Sequence, residues 1–385
     1  MTAGSSTQHL AQTQGMPPLR YSRARRATFF SFVGLGTILG TWLLFVYLGQ
    51  GGLRKSEIAL LLVFLPLYYQ LNTGFWTALV GVWLMNRPKS DPLELWRTLA
   101  QEDYEKPLEA STAVIMPIYN EDVTRVYEGL RSIFLSIQER GQGGHFDFFI
   151  LSDSDDTNKW IEEEVGWLEL CRQLKAFGKI FYRKRRKPIT RKSGNVSDFC
   201  RRWGKRYRYT VVLAADSLMS GALIDAMVRI MEKNPAIGIL QTFPKQVGSE
   251  TLLGRVMQFA QALYGPAFMA GLDYWQGGEA NYWGHNAIIR TAPFIENCAL
   301  PALPGKEPFG GHILSHDFVE AALLRRAGWR VWLAYELGGS YEELPPTLID
   351  YAKRDRRWCQ GNLQHLRLAL AHGFNALSRL HFSMG

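Results

Sequence analysis

Three aspartates stand where apolar runs give way to polar ones. Asp153 ends an apolar run in LSDSDD, Asp216 ends another in VVLAADS, and Asp317 sits in GGHILSHDFVEAALLRRAGW, where a helix starts. A carboxylate at such a place can cap the following helix. It can also hold a hard divalent cation, accept a proton or bind hydroxyl groups. Capping explains any one of them equally well, but three spread across one sheet point to chemistry.

Cations follow closely. RKRRKPITRKSGN (183–195), RRWGKRYR (201–208) and KRDRRW (353–358) are dense in Lys and Arg. Such runs serve as solvated faces, as nucleic-acid or anionic-lipid patches, or as diphosphate sites. Lys192-Ser193-Gly194-Asn195 favours the last, because Gly194 admits a phosphate to the backbone and Lys192 brings a point charge. Neither G-x-G-x-x-G nor G-x-x-x-x-G-K-[ST] occurs, which argues against a dinucleotide fold or a P-loop. YWQGGEANYWGHNAIIR (274–290) mixes aromatic faces with hydrogen-bonding groups, as a sugar ring requires or as an aromatic satellite of the core would. Trp283 and His285 within it are the candidate acceptor contacts. His312 and His316 lie four apart, but without an H-E-x-x-H context a zinc site is disfavoured. Cys171, Cys200, Cys298 and Cys359 are scattered, with no C-x-x-C pair, and read as buried thiols in a reducing compartment.

The elements that must hold these groups follow from hydrophobic patterning. AVIMPIY (113–119), DFFILSD (147–153), YTVVLAAD (209–216) and AIGILQT (236–242) read as buried strands alternating with helices. That pattern predicts an α/β fold with a mostly parallel sheet covered by helices on both faces. Ligands then bind at the carboxyl ends of the strands. The polar residues sit there: Asn120 and Glu121, Asp153 and Asp155, Asp216, Gln241 and Thr242.

The chain has 385 residues and a net charge of +9 from 44 Lys+Arg and 35 Asp+Glu. No charged residue occurs for 27 positions after Arg26 or for 29 after Glu57. A helical span needs about 20 apolar residues. Two transmembrane helices are therefore expected between residues 27 and 87, the second interrupted by Pro66 and Asn72, after a disordered basic tail over residues 1–26. Arg20, Arg23, Arg25 and Arg26 before the first span, and Arg87 and Lys89 after the second, place both flanks in the cytoplasm. This composition excludes a plain soluble protein, a disordered chain and a disulfide scaffold.

In order along the chain, PIYNE (117–121), LSD (151–153), RKSGN (191–195), AADS (214–217), QT (241–242), GHNAIIR (284–290), SHDF (315–318) and RDRRW (354–358) resemble the motifs of processive, inverting family 2 glycosyltransferases, the group of cellulose and hyaluronan synthases. LPGKEPFGGHILSHDFVEAALLRRAGW and YEELPPTLIDYAKRDRRWCQGNLQH resemble one branch specifically, the glucans biosynthesis glucosyltransferase H family. The resemblance implies a GT-A domain over about residues 105–345, and a region over 346–385 leading to further membrane helices beyond this chain. It implies a hexosyltransferase of the bacterial inner membrane, multi-pass with its catalytic domain cytoplasmic. Glucose would pass from UDP-glucose to a growing β-1,2-linked glucan with inversion, using Mg2+ or Mn2+, beside membrane lipid and a periplasmic glucan-processing partner. No nucleic-acid partner is expected. By motif position, Tyr119, Glu121 and Asp153 would hold uracil and ribose, with Lys192 and Asn195 near the donor. Asp216 would be the metal ligand, Asp317 the general base, Arg357 a diphosphate contact and Trp358 an acceptor platform. Two positions depart from the pattern. Ala214 stands at the first position of D-x-D and Arg354 at the glutamine of Q-x-x-R-W, where it adds a cation near the diphosphate. Ala214 motivates the alternative of a catalytically weak UDP-sugar-binding membrane protein.

Overall fold

A computed structural model of the chain describes residues 19–87 and 94–384. The tail over 1–18 and Lys89 lie outside the described residues. Two long helices come first, α1 (Leu19–Gly49) and α2 (Lys55–Met85). Both are long and apolar enough to cross a membrane, with hydropathies of 1.9 and 1.5. Leu35, Ile38, Leu62 and Leu67 on them are 62–70% exposed. Helix α1 begins at Leu19, so residues 19–26, expected in the tail, are helical instead. Asn72 does not interrupt α2. Its Nδ2 donates to Val33 O at 2.9 Å and Thr37 Oγ1 at 3.2 Å, and it joins the two helices as polar groups do where water is scarce. Pro66 lies inside an unbroken α2.

From Thr112 strands and helices alternate: β1 (Thr112–Ile118), α3 (Val123–Glu139), β2 (Phe146–Ser152), α4 (Thr157–Leu174), β3 (Ile180–Lys184), α5 (Arg191–Trp203), β4 (Tyr209–Val212), β5 (Leu218–Met219) and α6 (Gly221–Lys233). Then follow β6 (Ile237–Thr242), β7 (Lys245–Val247), α7 (Leu252–Gln276), β8 (Ala287–Arg290), α8 (Thr291–Asn297), α9 (His316–Arg326), β9 (Arg330–Ala334), β10 (Ser340–Glu343), α10 (Leu348–Ala369) and α11 (Ala376–Met384). The main sheet has seven strands in the order β3-β2-β1-β4-β8-β6-β9. Only β8 runs antiparallel to its neighbours, so the sheet is mostly parallel, as the sequence implies. The four-strand sequence pattern omits β3, β8 and β9. A smaller sheet, β5-β10-β7, stands beside it.

Alternation along β1 divides the core. Val114, Met116 and Ile118 enter one cluster with Val126, Leu130 and Ile133 of α3. Ala113 and Ile115 enter another with Val196 and Phe199 of α5 and Leu324 of α9. Period-two side chains thus bury both faces of the sheet under helices, and its carboxyl edge is left for polar groups. Strand β4 ends at Val212, four residues before Asp216. Ala214 N donates to Ser217 Oγ at 2.8 Å, and Ser217 N returns to Ala214 O at 3.1 Å, which turns the chain out of the sheet.

Helix α7 joins the domain to the apolar pair. A Cβ at Gly81 would stand 1.6 Å from Ala267 O, and one at Gly271 would stand 1.8 Å from Thr77 O, so the backbones of α2 and α7 touch. Arg26 of α1 donates to Trp275 O and Gln276 O, both at 3.0 Å, and pairs with Glu279 at 2.6 Å. A cation on the last carbonyls of α7 complements that helix end. Gly271→Leu is therefore expected to lower the thermal unfolding midpoint of the detergent-solubilised chain, by at least the 1–3 kcal/mol or so typical of overpacking. Gly74→Ala, with nothing within 4 Å, should leave the midpoint unchanged or raise it. Equal midpoints for the two variants would mean that α7 does not pack on α2.

Candidate active site

A cavity of about 1420 Å³ opens at the carboxyl ends of β1, β2 and β4. Tyr119, Glu121, Asp153, Lys192, Asn195, Asp216, Arg354 and Arg357, the candidate donor contacts, all line it. Asp317, Trp283, His285 and Trp358 do not belong to that lining.

Each wall is built from the strand end behind it. Beyond β1, Asn120 takes φ +53°, in the left-handed region that Asn tolerates. Its N–H donates to Ser154 Oγ at 2.8 Å, and that hydroxyl donates to buried Glu163 at 2.5 Å. Asp155 then accepts from Tyr119 OH at 2.9 Å and Asn120 Nδ2 at 2.6 Å. These two hydrogen bonds hold the Asp155 carboxyl below its ordinary range. Glu121 shifts the other way, pushed up by burial and by the charge of Asp216.

Two candidates are tied up within the protein. Asp153 is 6% exposed, and Arg185 takes both its oxygens at 2.6 and 2.5 Å. Asn195 is 1% exposed; its Nδ2 donates to Leu151 O at 2.8 Å and its Oδ1 accepts from Arg183 at 2.8 Å. Asn195 therefore ties α5 to β2 and aims Arg183 from the wall of the cavity. Gly194 is likewise not open to a phosphate, since a Cβ there would lie 2.1 Å from Ile189 O and 1.9 Å from Thr190 Oγ1. The chain's own loop fills that space.

Lys192, on the first turn of α5, stands in the acidic centre. Burial draws its ammonium down, against the carboxylates of Asp317, Asp216 and Glu320. His285 is drawn to about 4, by burial and by Lys192, while Asp216 and Asp317 act in the opposite sense. Asp216 and Asp317 thus act on the same two side chains and belong to one site. Gly284 takes φ +85°, a conformation that favours glycine, and a Cβ there would meet Asp317 Oδ2 at 3.3 Å, so the 283–286 strap lies against that carboxylate. Gln241 and Thr242 hold the strap: Gln241 Oε1 accepts from Trp283 N at 2.9 Å, and Thr242 Oγ1 donates to Asn286 O at 2.6 Å. The ring of Trp358 is 47% exposed, with the Arg354 guanidinium 4.5 Å from its centroid.

Some groups were not singled out from sequence. Arg185 was one cation in a run, with nothing to distinguish it. Glu342 of β10 lies 3.7 Å from His285 Nε2. Burial and Asp216 push its carboxyl up to about 7. His316 pairs with Glu320 at 3.1 Å inside α9, whereas His312 precedes that helix and is exposed, so the two imidazoles form no metal face. Cys359 is exposed, against the expectation of four buried thiols.

Among the described residues no three His, Cys, Asp or Glu side chains form a cation-binding set. Asp216 is exposed on its turn, and its charge pushes up Glu121 and Glu342. This excess of negative charge fits a hard cation that takes one carboxylate from the protein and its other oxygens from a bound diphosphate.

Comparison with known proteins comes from three directions. The model of the family described as Glycosyl transferase family 2 matches residues 113–297. A protein named glucans biosynthesis glucosyltransferase H from Cupriavidus pinatubonensis is 53% identical over 361 residues, which cover 94% of this chain and 42% of that protein. Proteins of the same name from Pseudomonas aeruginosa and Pseudomonas putida are each 54% identical over 86% of this chain and 38% of their own length. The chain thus spans about two fifths of these relatives. Among solved structures, a mannosyltransferase from Pyrobaculum calidifontis in complex with GDP-Man and Mn2+ superposes with a TM-score of 0.52 at 14% identity, covering 82% of this chain and 78% of that one. That likeness shows the GT-A fold.

The Glu342 carboxyl gives this site a pH signature. The folded state keeps its proton to about pH 7, whereas an unfolded glutamate releases it near 4.5. The stability carried by the protonated form is full below the lower value and is lost as pH rises through the higher one. Glu342→Gln should therefore match the wild type near pH 5 and exceed it at pH 8, by on the order of 1–2 kcal/mol in chemical denaturation. Parallel pH profiles for the two proteins would show that Glu342 is not buried beside Asp216.

Proposed function

The chain belongs to glycosyltransferase family 2, and from that premise we propose that it is the catalytic part of an inverting glucosyltransferase of the bacterial inner membrane. It transfers glucose from UDP-glucose to the growing β-1,2-linked backbone of a periplasmic glucan. The supporting observation is that Asp216, on the donor cavity, and Asp317, behind the 283–286 strap, act on the same half-buried Lys192 and His285.

In this reading Tyr119 and Glu121 receive the nucleoside at the end of β1. Asp153 acts through Arg185, whose other N–H groups hold Ile189 O at 3.1 Å and Arg191 O at 3.0 Å and so shape the donor loop. Lys192, Arg354 and Arg357 face the diphosphate. Asp216 would hold a divalent cation, Mg2+ or Mn2+, which when bound would supply charge stabilisation to the departing diphosphate. Asp317 takes the proton from the acceptor hydroxyl as its oxygen bonds to the anomeric carbon and the bond to UDP breaks. Attack comes from the face opposite UDP, so an α-linked donor yields a β-linked product. His285 stays neutral at physiological pH and adds no competing charge there. Trp358, and Trp283 on its strap, offer faces for the acceptor sugar. Helices α1 and α2 lie in lipid, with the domain on the cytoplasmic side.

Asp317→Asn should lower UDP release from UDP-glucose in membranes by about 10²–10⁴-fold, the usual worth of a general base. Binding of UDP, measured by calorimetry, should change less than threefold. Equal release from both proteins would remove Asp317 as the base.

Ala214 favours a second reading, a UDP-sugar binder with little turnover. Ala214→Asp places a second carboxylate at the turn, and on this reading it raises turnover at least tenfold at saturating Mn2+. Brisk turnover in the unaltered chain would exclude the second reading.

A further inference from the structure

The donor cavity has a neighbour on the far side of the 185–190 loop. This second cavity, of about 930 Å³, has two unlike walls. One is the cationic run from Arg183 to Lys187, joined by Arg201 and Arg202 from the last turn of α5. The other is apolar, formed by Phe294, Ile295 and Leu300 around and after α8.

The cationic wall is not neutralised from within. Its lining holds seven cations and two acids, Asp198 and Glu320; of the seven, Arg185 is paired outside the cavity with Asp153. Three guanidiniums share the single Asp198 carboxylate: Arg183 at 3.2 Å, Arg201 at 2.6 Å and Arg202 at 3.1 Å. Glu320 is already engaged by His316. Buried Arg183 Nε has no hydrogen-bond acceptor, and Arg186 and Lys187 have no carboxylate partner among the described residues. Converging guanidiniums with spare N–H groups suit an oxyanion of two or more charges, which binds by charge-assisted, bidentate hydrogen bonds. An extended nucleic acid needs a groove or face, whereas this is a recess of ligand size with one apolar side.

We propose that this cavity is a second anion site, which takes a small molecule carrying a phosphomonoester or diphosphate and an apolar portion. It is separate from the donor cavity. The 185–190 loop and the start of α5 form the wall between them: Ser193 and Gly194 line this cavity, Lys192 and Asn195 the donor cavity, and Thr190 and Arg191 take positive φ, 60° and 49°. Phosphatidic acid in a membrane and a soluble phosphorylated metabolite present the same phosphomonoester chemistry to it.

Inorganic pyrophosphate is the probe, titrated into the full chain in detergent by calorimetry. The wild type should bind two equivalents, one per cavity. Arg201→Ala with Arg202→Ala, whose side chains are 76% and 58% exposed and whose loss leaves the core intact, should weaken one equivalent at least tenfold and spare the other. Lys192→Ala should do the reverse. An unchanged thermal midpoint confirms that the arginine variant is folded. A wild type that binds one equivalent, lost only in the Arg201/Arg202 variant, would uphold this site and count against the donor cavity. A single equivalent that survives in that variant would overturn the proposal. Displacement of the second-site pyrophosphate by phosphatidic acid vesicles, and not by phosphatidylcholine, identifies a lipid ligand; retention against both identifies a soluble one.

Discussion

Negative charge converges on one small volume at the sheet's carboxyl edge, and the structure there is arranged around that repulsion. Asp216, Asp317, Glu320, Glu342 and Glu121 approach the site from four elements or their flanking turns, Asp317 and Glu320 both from α9. Burial first, and the like charge of Asp216 second, disfavour ionisation there and push Glu342 and Glu121 upward. Lys192 is the cation set among Asp216, Asp317 and Glu320. For it to stand there, α5 must begin at the edge of the sheet, which Asn195 secures by its bond to Leu151 O.

The same arrangement suits a ligand that brings both charges with it. A nucleoside diphosphate with its cation offers negative oxygens to Lys192, Arg354 and Arg357 and positive charge to Asp216. Ala214 leaves the turn with one carboxylate where the family's pattern has two. The acids that approach Asp216 come from β10 and from beyond β1 rather than from within the turn.

Support reaches this site from a distance. The strap over Asp317 is carried by Gln241, Thr242 and Asn286, which are fully buried, so its position is set by core hydrogen bonds and not by solvent. Farther out, backbone contact between α2 and α7 and the Arg26–Glu279 pair fasten the domain to the apolar helices. Small residues at the crossing allow an approach that larger side chains would forbid.

Much of this was legible in the chain itself. The two apolar runs, the alternation of buried strands with helices and the polar residues at strand ends follow from local pattern, because side-chain period and hydrophobicity are properties of neighbours in sequence. The eight candidate donor residues came instead from the resemblance of their motifs to those of family 2 glycosyltransferases, and all eight line one cavity. Strands β3, β8 and β9 escaped, since short segments such as IFYRK and AIIR carry too little pattern to separate a strand from a loop. The roles of Arg185, Asn195, Gly194 and Glu342 escaped for a different reason. Whether a polar group faces a ligand or is used up inside the protein depends on partners 30 to 130 residues away or on a single turn of helix pressed against a loop. Sequence alone therefore determined the kind of fold and the chemical groups available. Tertiary structure decided which of those groups remain free, because hydrogen bonds, burial and like-charge repulsion act through space, on residues that only the folded sheet brings together.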